Sequence, residues 1–204
     1  CDHYFTKLFR TKTKMILPIR AYGDPVLRKK AQDISPEYPE LKELIASMFE
    51  TMNGAHGIGL AAPQIGLDIR LFIVDVSPLA DDEDYVDIAE ELKSFKKTFI
   101  NAKILEESGN EWKFNEGCLS IPDVREDVSR KETILIEYYD ENFVKHTETF
   151  SDIRARVIQH EYDHIEGILF TDKLSPLKKK IIKGKLNKIT AGDVAINYKM
   201  RFPK

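Results

Sequence analysis

An α+β fold is predicted for this chain, with mainly antiparallel β-sheets packed around a central helix that carries HEYDH and a further helix toward the C-terminus. Two separated stretches repeat apolar residues at helical spacing, and runs rich in β-branched and aromatic residues cluster between them. Helical and strand patterns are therefore segregated along the chain rather than strictly alternating, which favours α+β over a parallel α/β sheet.

In chain order, Leu41, Leu44, Ile45, Met48, Phe49 and Met52 give an amphipathic helix that stops at Asn53-Gly54. The glycine-rich GIGLAAPQIG, from Gly57 to Gly66, leads into RLFIVDV, a short apolar run suited to a buried strand. DDEDYVDIAEELKS, residues 81–94, concentrates acidic side chains and reads as a solvated excursion with one helical turn. KTFINAKILEE, EWKFNEG and ETILIEYYDENFVKHTETF follow as short strand-like runs, the last broken at Asp140-Glu141-Asn142 as in a hairpin. Helical spacing returns with Ile153, Val157, His160 and His164 and closes near Gly167. A second helix begins at Ser175-Pro176, with Ser as cap and Pro in the first turn, so residues 176–204 read as a C-terminal helix and tail.

The 204 residues fit one domain, assigned to 15–204. Residues 1–14, polar and basic ahead of the apolar MILPI, are read as a disordered extension. Apolar residues at 42% and charged residues at 32% suit a folded globular chain. Thirty-one basic against thirty-four acidic residues, a net charge of -3, give no global field for DNA. No apolar run approaches the roughly 18 residues of a membrane span. Two cysteines, Cys1 and Cys118, make no disulfide framework, so a reducing compartment, the cytoplasm, is expected.

The chemistry lies in HEYDH. His160 and His164 are four residues apart, so a helix puts both imidazoles on one face, with Glu161 beside them as a base. A bare HExxH also arises by chance, and a third ligand is required. No His follows His164, which removes the peptidase patterns that extend the motif downstream. Among upstream residues, His3 lies in the extension and His56 and His146 in polar or loop contexts, whereas Cys118 sits in EGCLS beside a strand-like segment. Cys118 is the candidate, although most isolated cysteines are simply small buried hydrophobes.

GIGLAAPQ at Gly57 to Gln64, EGCLS at Glu116 to Ser120 and QHEYDH at Gln159 to His164 together resemble the three signatures of peptide deformylases, in the same order, over residues 15 to about 175. The resemblance implies a hydrolase that removes the formyl group from the N-terminal formyl-methionine of new proteins and releases formate. It implies one divalent metal on Cys118, His160 and His164 with water in the fourth position, natively Fe²⁺, with Zn²⁺ or Ni²⁺ also accepted. Glu161 would act as base and then acid, with the Gln64 side-chain amide and the Leu119 backbone N–H as donors to the oxyanion. The substrate would lie along Ile58 and Gly59 as an added strand, and Gly117, Arg125, Ile153, Arg156 and Val157 complete the substrate-binding set.

Arg156 stands where an aliphatic residue is expected, so its stem is placed at the pocket rim with the guanidinium in water. Arg125 and Glu116 read either as supports of the metal loop or as a surface ion pair, and Trp112 as core. The lysines of KKKIIKGKLNK suggest contact with the ribosome through the C-terminal helix. Two rivals remain: a zinc peptidase cutting internal amides, and a silent relative that binds formyl-peptides without hydrolysis.

Overall fold

A computed structural model of the chain describes residues 15–203, so the predicted extension over 1–14 lies outside the described residues. In order, the elements are β1 (Ile19–Arg20), α1 (Leu41–Gly54), β2 (Gly59–Ala61), β3 (Leu71–Asp75), α2 (Ala89–Lys93), β4 (Lys96–Cys118), β5 (Ile121–Tyr139), β6 (Lys145–Ser151), α3 (Asp152–Ile165), α4 (Pro176–Ala191) and β7 (Met200–Arg201). Strands β2-β3-β4-β5-β6 form an antiparallel sheet, and β1 pairs with β7 in a separate parallel pair. The α+β prediction with antiparallel sheet and a central HEYDH-bearing helix holds.

The alternation of β3 shows how the layers form. Leu71 and Ile73 face a cluster with Ile45, Met48 and Met52 of α1, while Phe72 and Val74 face one with Ile153, Ile158 and Ile165 of α3. Successive strand side chains point to opposite faces, so this five-residue apolar run is covered by a helix on each side. A third cluster joins Ile182, Leu186 and Ile189 of α4 to Leu27, Val128 and Phe170.

Three elements differ from the sequence reading. β4 is one strand rather than two, because the break at Ser108-Gly109-Asn110 is absorbed by a register shift between Ser108 and Glu111, with Gly109 at φ +79. The acidic excursion folds as short turns around α2, and although its charges face water, Tyr85, Ile88 and Leu92 pack in the α3 cluster. The segment read as a tail after α4 turns back and supplies β7. Ser175 and Asp140 behave as expected: Ser175 Oγ accepts from Lys178 N–H, and Asp140 Oδ1 accepts from Asn142 and Val144 in the β5–β6 turn. Among the described residues no helix is long and apolar enough to cross a membrane.

Candidate active site

α3 is buried along most of its length, yet it carries Arg156, Gln159, His160, Glu161, Asp163 and His164. Buried polar groups are normally satisfied, and most of these are. Gln159 Nε2 donates to Lys131 O and Ala155 O at 3.0 and 3.1 Å. Asp163 accepts from Arg130 at 2.7 Å. The exceptions are single atoms, Arg156 Nε, Gln159 Oε1, Glu161 Oε2 and His164 Nδ1, which have no partner among the described residues.

Cys118, at the end of β4, meets both histidines. Ligand atoms of Cys118, His160 and His164 lie within 4.8 Å of one another, and Sγ is 3.3 Å from His164 Nε2. The four-residue spacing on α3 sets the imidazole centroids 5.1 Å apart. His160 Nδ1 is 3.0 Å from Glu116 Oε2, an arrangement that commits Nδ1 as donor and leaves Nε2 as the free ligand atom. One thiolate and two imidazoles with a shared open side fit a divalent cation.

Glu116 is held in turn. Arg130 donates to both its oxygens at 2.7 and 2.9 Å, and Arg156 Nη1 donates at 2.9 Å. Burial opposes its ionisation, but the hydrogen bonds and charges of Arg130 and His160 outweigh it and hold the carboxyl far below the usual range. A permanent carboxylate thus orients His160.

Glu161 is the opposite case. Burial, reinforced by the neighbouring Glu116 and Asp163 and opposed by His160 and Arg130, pushes its carboxyl up to about 7. A group poised there can take and return a proton near neutrality. It packs directly over Gly59 of β2, where a Cβ would overlap the carboxyl group, so only glycine fits.

Gln64 lies in the short helical turn Ala62–Ile65. Its Oε1 accepts from Ala61 N–H at 2.8 Å, which fixes the amide orientation and turns Nε2 toward Cys118 Sγ at 3.5 Å and Ser120 Oγ at 3.4 Å. The amide therefore presents a donor at the open side of the cysteine–histidine group.

These residues share one cleft of about 1090 Å³, and the sequence-predicted Ile58, Gly59, Gln64, Gly117, Cys118, Leu119, Arg125, Ile153, Arg156, Val157, His160 and Glu161 all line it. His164 sits behind, almost completely buried. Two expectations are corrected, for Arg156 and Trp112. Of the two readings of Arg125 and Glu116, the ion pair fails, while Glu116 does support the cysteine–histidine group through His160. The Arg156 guanidinium does not reach water: it donates to Glu116, Val128 O and Trp112 O and stacks 4.4 Å from the Trp112 ring centroid. The buried carboxylate and the ring offer it more than solvent does. Arg125 and Glu116 do not pair, because Arg125 bonds the side chain and carbonyl of the neighbouring Asn115 while Glu116 points inward to α3. Trp112 is a partly buried platform for Arg156 rather than plain core.

Sequence reasoning missed Arg130 and Tyr198. Arg130 stands opposite Trp112 in the β4–β5 ladder, a register that no local motif announces. Tyr198, after α4, lines the cleft and donates to Leu119 O at 2.7 Å.

A buried carboxyl group beside one thiol and two imidazoles, with an amide donor across from them, is an arrangement that fits metal-assisted hydrolysis. Residues 16–180 match the family model described as Polypeptide deformylase. The peptide deformylase of Christiangramia forsetii is 63% identical over 191 residues, 93% of this chain and 97% of that protein. That of Flavobacterium johnsoniae is 63% identical over 189 residues, 92% and 96% of the two chains. The crystal structure of a peptide deformylase from Legionella pneumophila matches with a TM-score of 0.74 at 35% identity, covering 88% of this chain and 98% of that one. The chain belongs to the peptide deformylase family of metallohydrolases, which remove the N-terminal formyl group from nascent peptides.

Proposed function

We propose that Cys118, His160 and His164 hold one divalent metal and that the cleft beside it deformylates N-terminal formyl-methionine. The observation that carries this reading is Glu161, a buried carboxyl group with a partnerless oxygen next to three converging metal donors. When bound, the metal acts as a Lewis acid that polarises the formyl oxygen and acidifies water.

The chain's own groups supply the rest. Glu161 takes the proton of the attacking water and delivers it to the methionine nitrogen, so one carboxyl group serves both halves of the reaction. Gln64 Nε2 and the Leu119 N–H donate to the formyl oxygen as its carbon becomes tetrahedral and negative charge builds there. The C–N bond then breaks, leaving formate and a free amino terminus.

β2 is an edge strand, so an extended peptide can add to it beside Ile58 and Gly59 through backbone hydrogen bonds. Ile153 and Val157 offer apolar surface for the methionine side chain. Gly117 and Arg125 line the substrate side of the same cleft, and Arg156 supports it from below through Glu116 and Trp112.

A cysteine with two histidines suits both Zn²⁺ and Fe²⁺. Fe²⁺ is the native metal in this reading, with Zn²⁺ or Ni²⁺ in aerobically handled protein. Residues 15–204 act as one catalytic domain in the cytoplasm. The test is formyl-Met-Ala-Ser: formate and intact Met-Ala-Ser are the expected products, whereas cleavage between Met and Ala would identify the peptidase instead.

The ribosome contact is assigned to Lys179, Lys180 and Lys183, which are exposed on α4 while Ile182, Leu186 and Ile189 bury its opposite face. Deleting the helix would strip that core, so charge reversal is the sounder probe. Lys→Glu at the three positions should abolish salt-sensitive ribosome binding and spare deformylation of free peptide. Retained binding would remove the helix from the contact.

A further inference from the structure

The proposed oxyanion donor, the Leu119 N–H, belongs to the two-residue turn Leu119-Ser120 that joins β4 to β5 between the paired Cys118 and Ile121. The ladder beside this turn is irregular, with a register shift between Gly117 and Cys118, so the hairpin's own hydrogen bonds hold it weakly. Both carbonyls of the turn are instead tied from outside the hairpin. Leu119 O accepts from the Tyr198 hydroxyl at 2.7 Å, and Ser120 O accepts from the Tyr22 N–H at 2.8 Å.

Those two donors have a common origin. Tyr22 lies two residues after β1 and Tyr198 two residues before β7, and among the described residues these strands pair only with each other. Ile19 N–H donates to Lys199 O and Ala21 N–H to Arg201 O, both at 2.9 Å, and Thr190 Oγ1 of α4 donates to Tyr22 O at 3.3 Å. The segment before β7 also forms a wall of the cleft through Ile196, Asn197 and Tyr198.

We propose that the β1–β7 pair is a clamp on the Leu119-Ser120 turn and that Tyr198 is a positioning residue for deformylation, holding the Leu119–Ser120 peptide and through it the φ and ψ of Leu119, so that the Leu119 N–H on the preceding peptide meets the oxyanion. This rests on the donor role proposed for Leu119. Without the phenol, Leu119 O must be solvated by water and the turn can rotate about the Leu119 backbone. The N–H then spends less time aligned with a charge that exists only in the transition state. The loss should fall on kcat and not on KM, since the substrate's strand and side-chain contacts are made elsewhere. The tether orients a donor without removing it, so the effect should be smaller than the full loss of one.

Tyr198→Phe removes the hydroxyl and keeps the ring. Steady-state formate release from formyl-Met-Ala-Ser, metal content and Tm are measured on the full chain. The expected result is a roughly tenfold fall in kcat with unchanged KM and metal content and a Tm lowered by only a few degrees. An unchanged kcat overturns the proposal. So does a fall in kcat that tracks lost metal or lost folded protein, because Tyr198 would then be only a structural support. Wild-type protein that releases no formate would instead refute the deformylase reading itself.

Discussion

Glu161→Gln should lower kcat for formyl-Met-Ala-Ser by about 10²- to 10⁴-fold, the usual worth of a positioned acid–base group, while the bound metal stays at the wild-type level. The amide matches the carboxyl in size and still fits over Gly59, but it cannot accept the proton of water or pass one to the leaving nitrogen. A second readout follows from burial, which raises the Glu161 carboxyl to about 7. A carboxyl whose folded value lies above its unfolded one favours the folded state in its protonated form, so its contribution to stability falls as pH rises through that window. Metal-free Glu161→Gln should therefore melt above metal-free wild type at pH 8, and the gap should close toward pH 4.5. Wild-type kcat in this variant would remove Glu161 from the chemistry.

Arg130→Met should produce the largest loss of stability. Arg130 is the double donor to Glu116 and the close partner of Asp163, all in a nearly water-free setting. Its removal leaves Glu116 with Arg156 and His160, and Asp163 with the more distant Lys173 at 3.3 Å. Breaking a buried pair from one side typically costs about 3–5 kcal/mol, which for a chain of this size is on the order of 10 °C in Tm. Because Glu116 orients the His160 imidazole, metal affinity should also drop by about 10- to 100-fold, measured by competition with a chelator. The paired carboxyl of Glu116 is depressed in the folded state, so the stability at stake is present above its unfolded value and lost on acidification. Wild type and Arg130→Met should accordingly converge as pH falls below about 4.5. Equal Tm and equal metal affinity at pH 7 would show that the network around Glu116 contributes little.

What could be read from the sequence was local. HEYDH announces its geometry because helical spacing alone brings two imidazoles to one face, and EGCLS and GIGLAAPQ bring cysteine, glycines and glutamine in short fixed windows. The layers were legible for the same reason: α1 carries an uninterrupted helical period and β3 an unbroken apolar run. What escaped depends on pairing across long separations. Arg130 acquires its place only when β5 registers against β4, and Tyr198 only when the chain returns after α4 to pair with β1. Arg156 misled because a charged end normally finds water, whereas here Glu116 and the Trp112 ring together outcompete it. The runs on either side of Ser108-Gly109-Asn110 read as separate because a left-handed glycine serves a turn and a bulge equally well. The Tyr85, Ile88 and Leu92 contacts of the acidic excursion were hidden by the charges around them.

The proposed deformylating centre depends on one metal held by Cys118, His160 and His164. This dependence is tested most directly by adding Fe²⁺ anaerobically to metal-free protein while following formate release from formyl-Met-Ala-Ser. Activity should be absent without metal, rise linearly and level off at one equivalent per chain, and Cys118→Ala should show no such rise. Full formate release by the metal-free protein, or an unchanged titration in Cys118→Ala, would contradict the account.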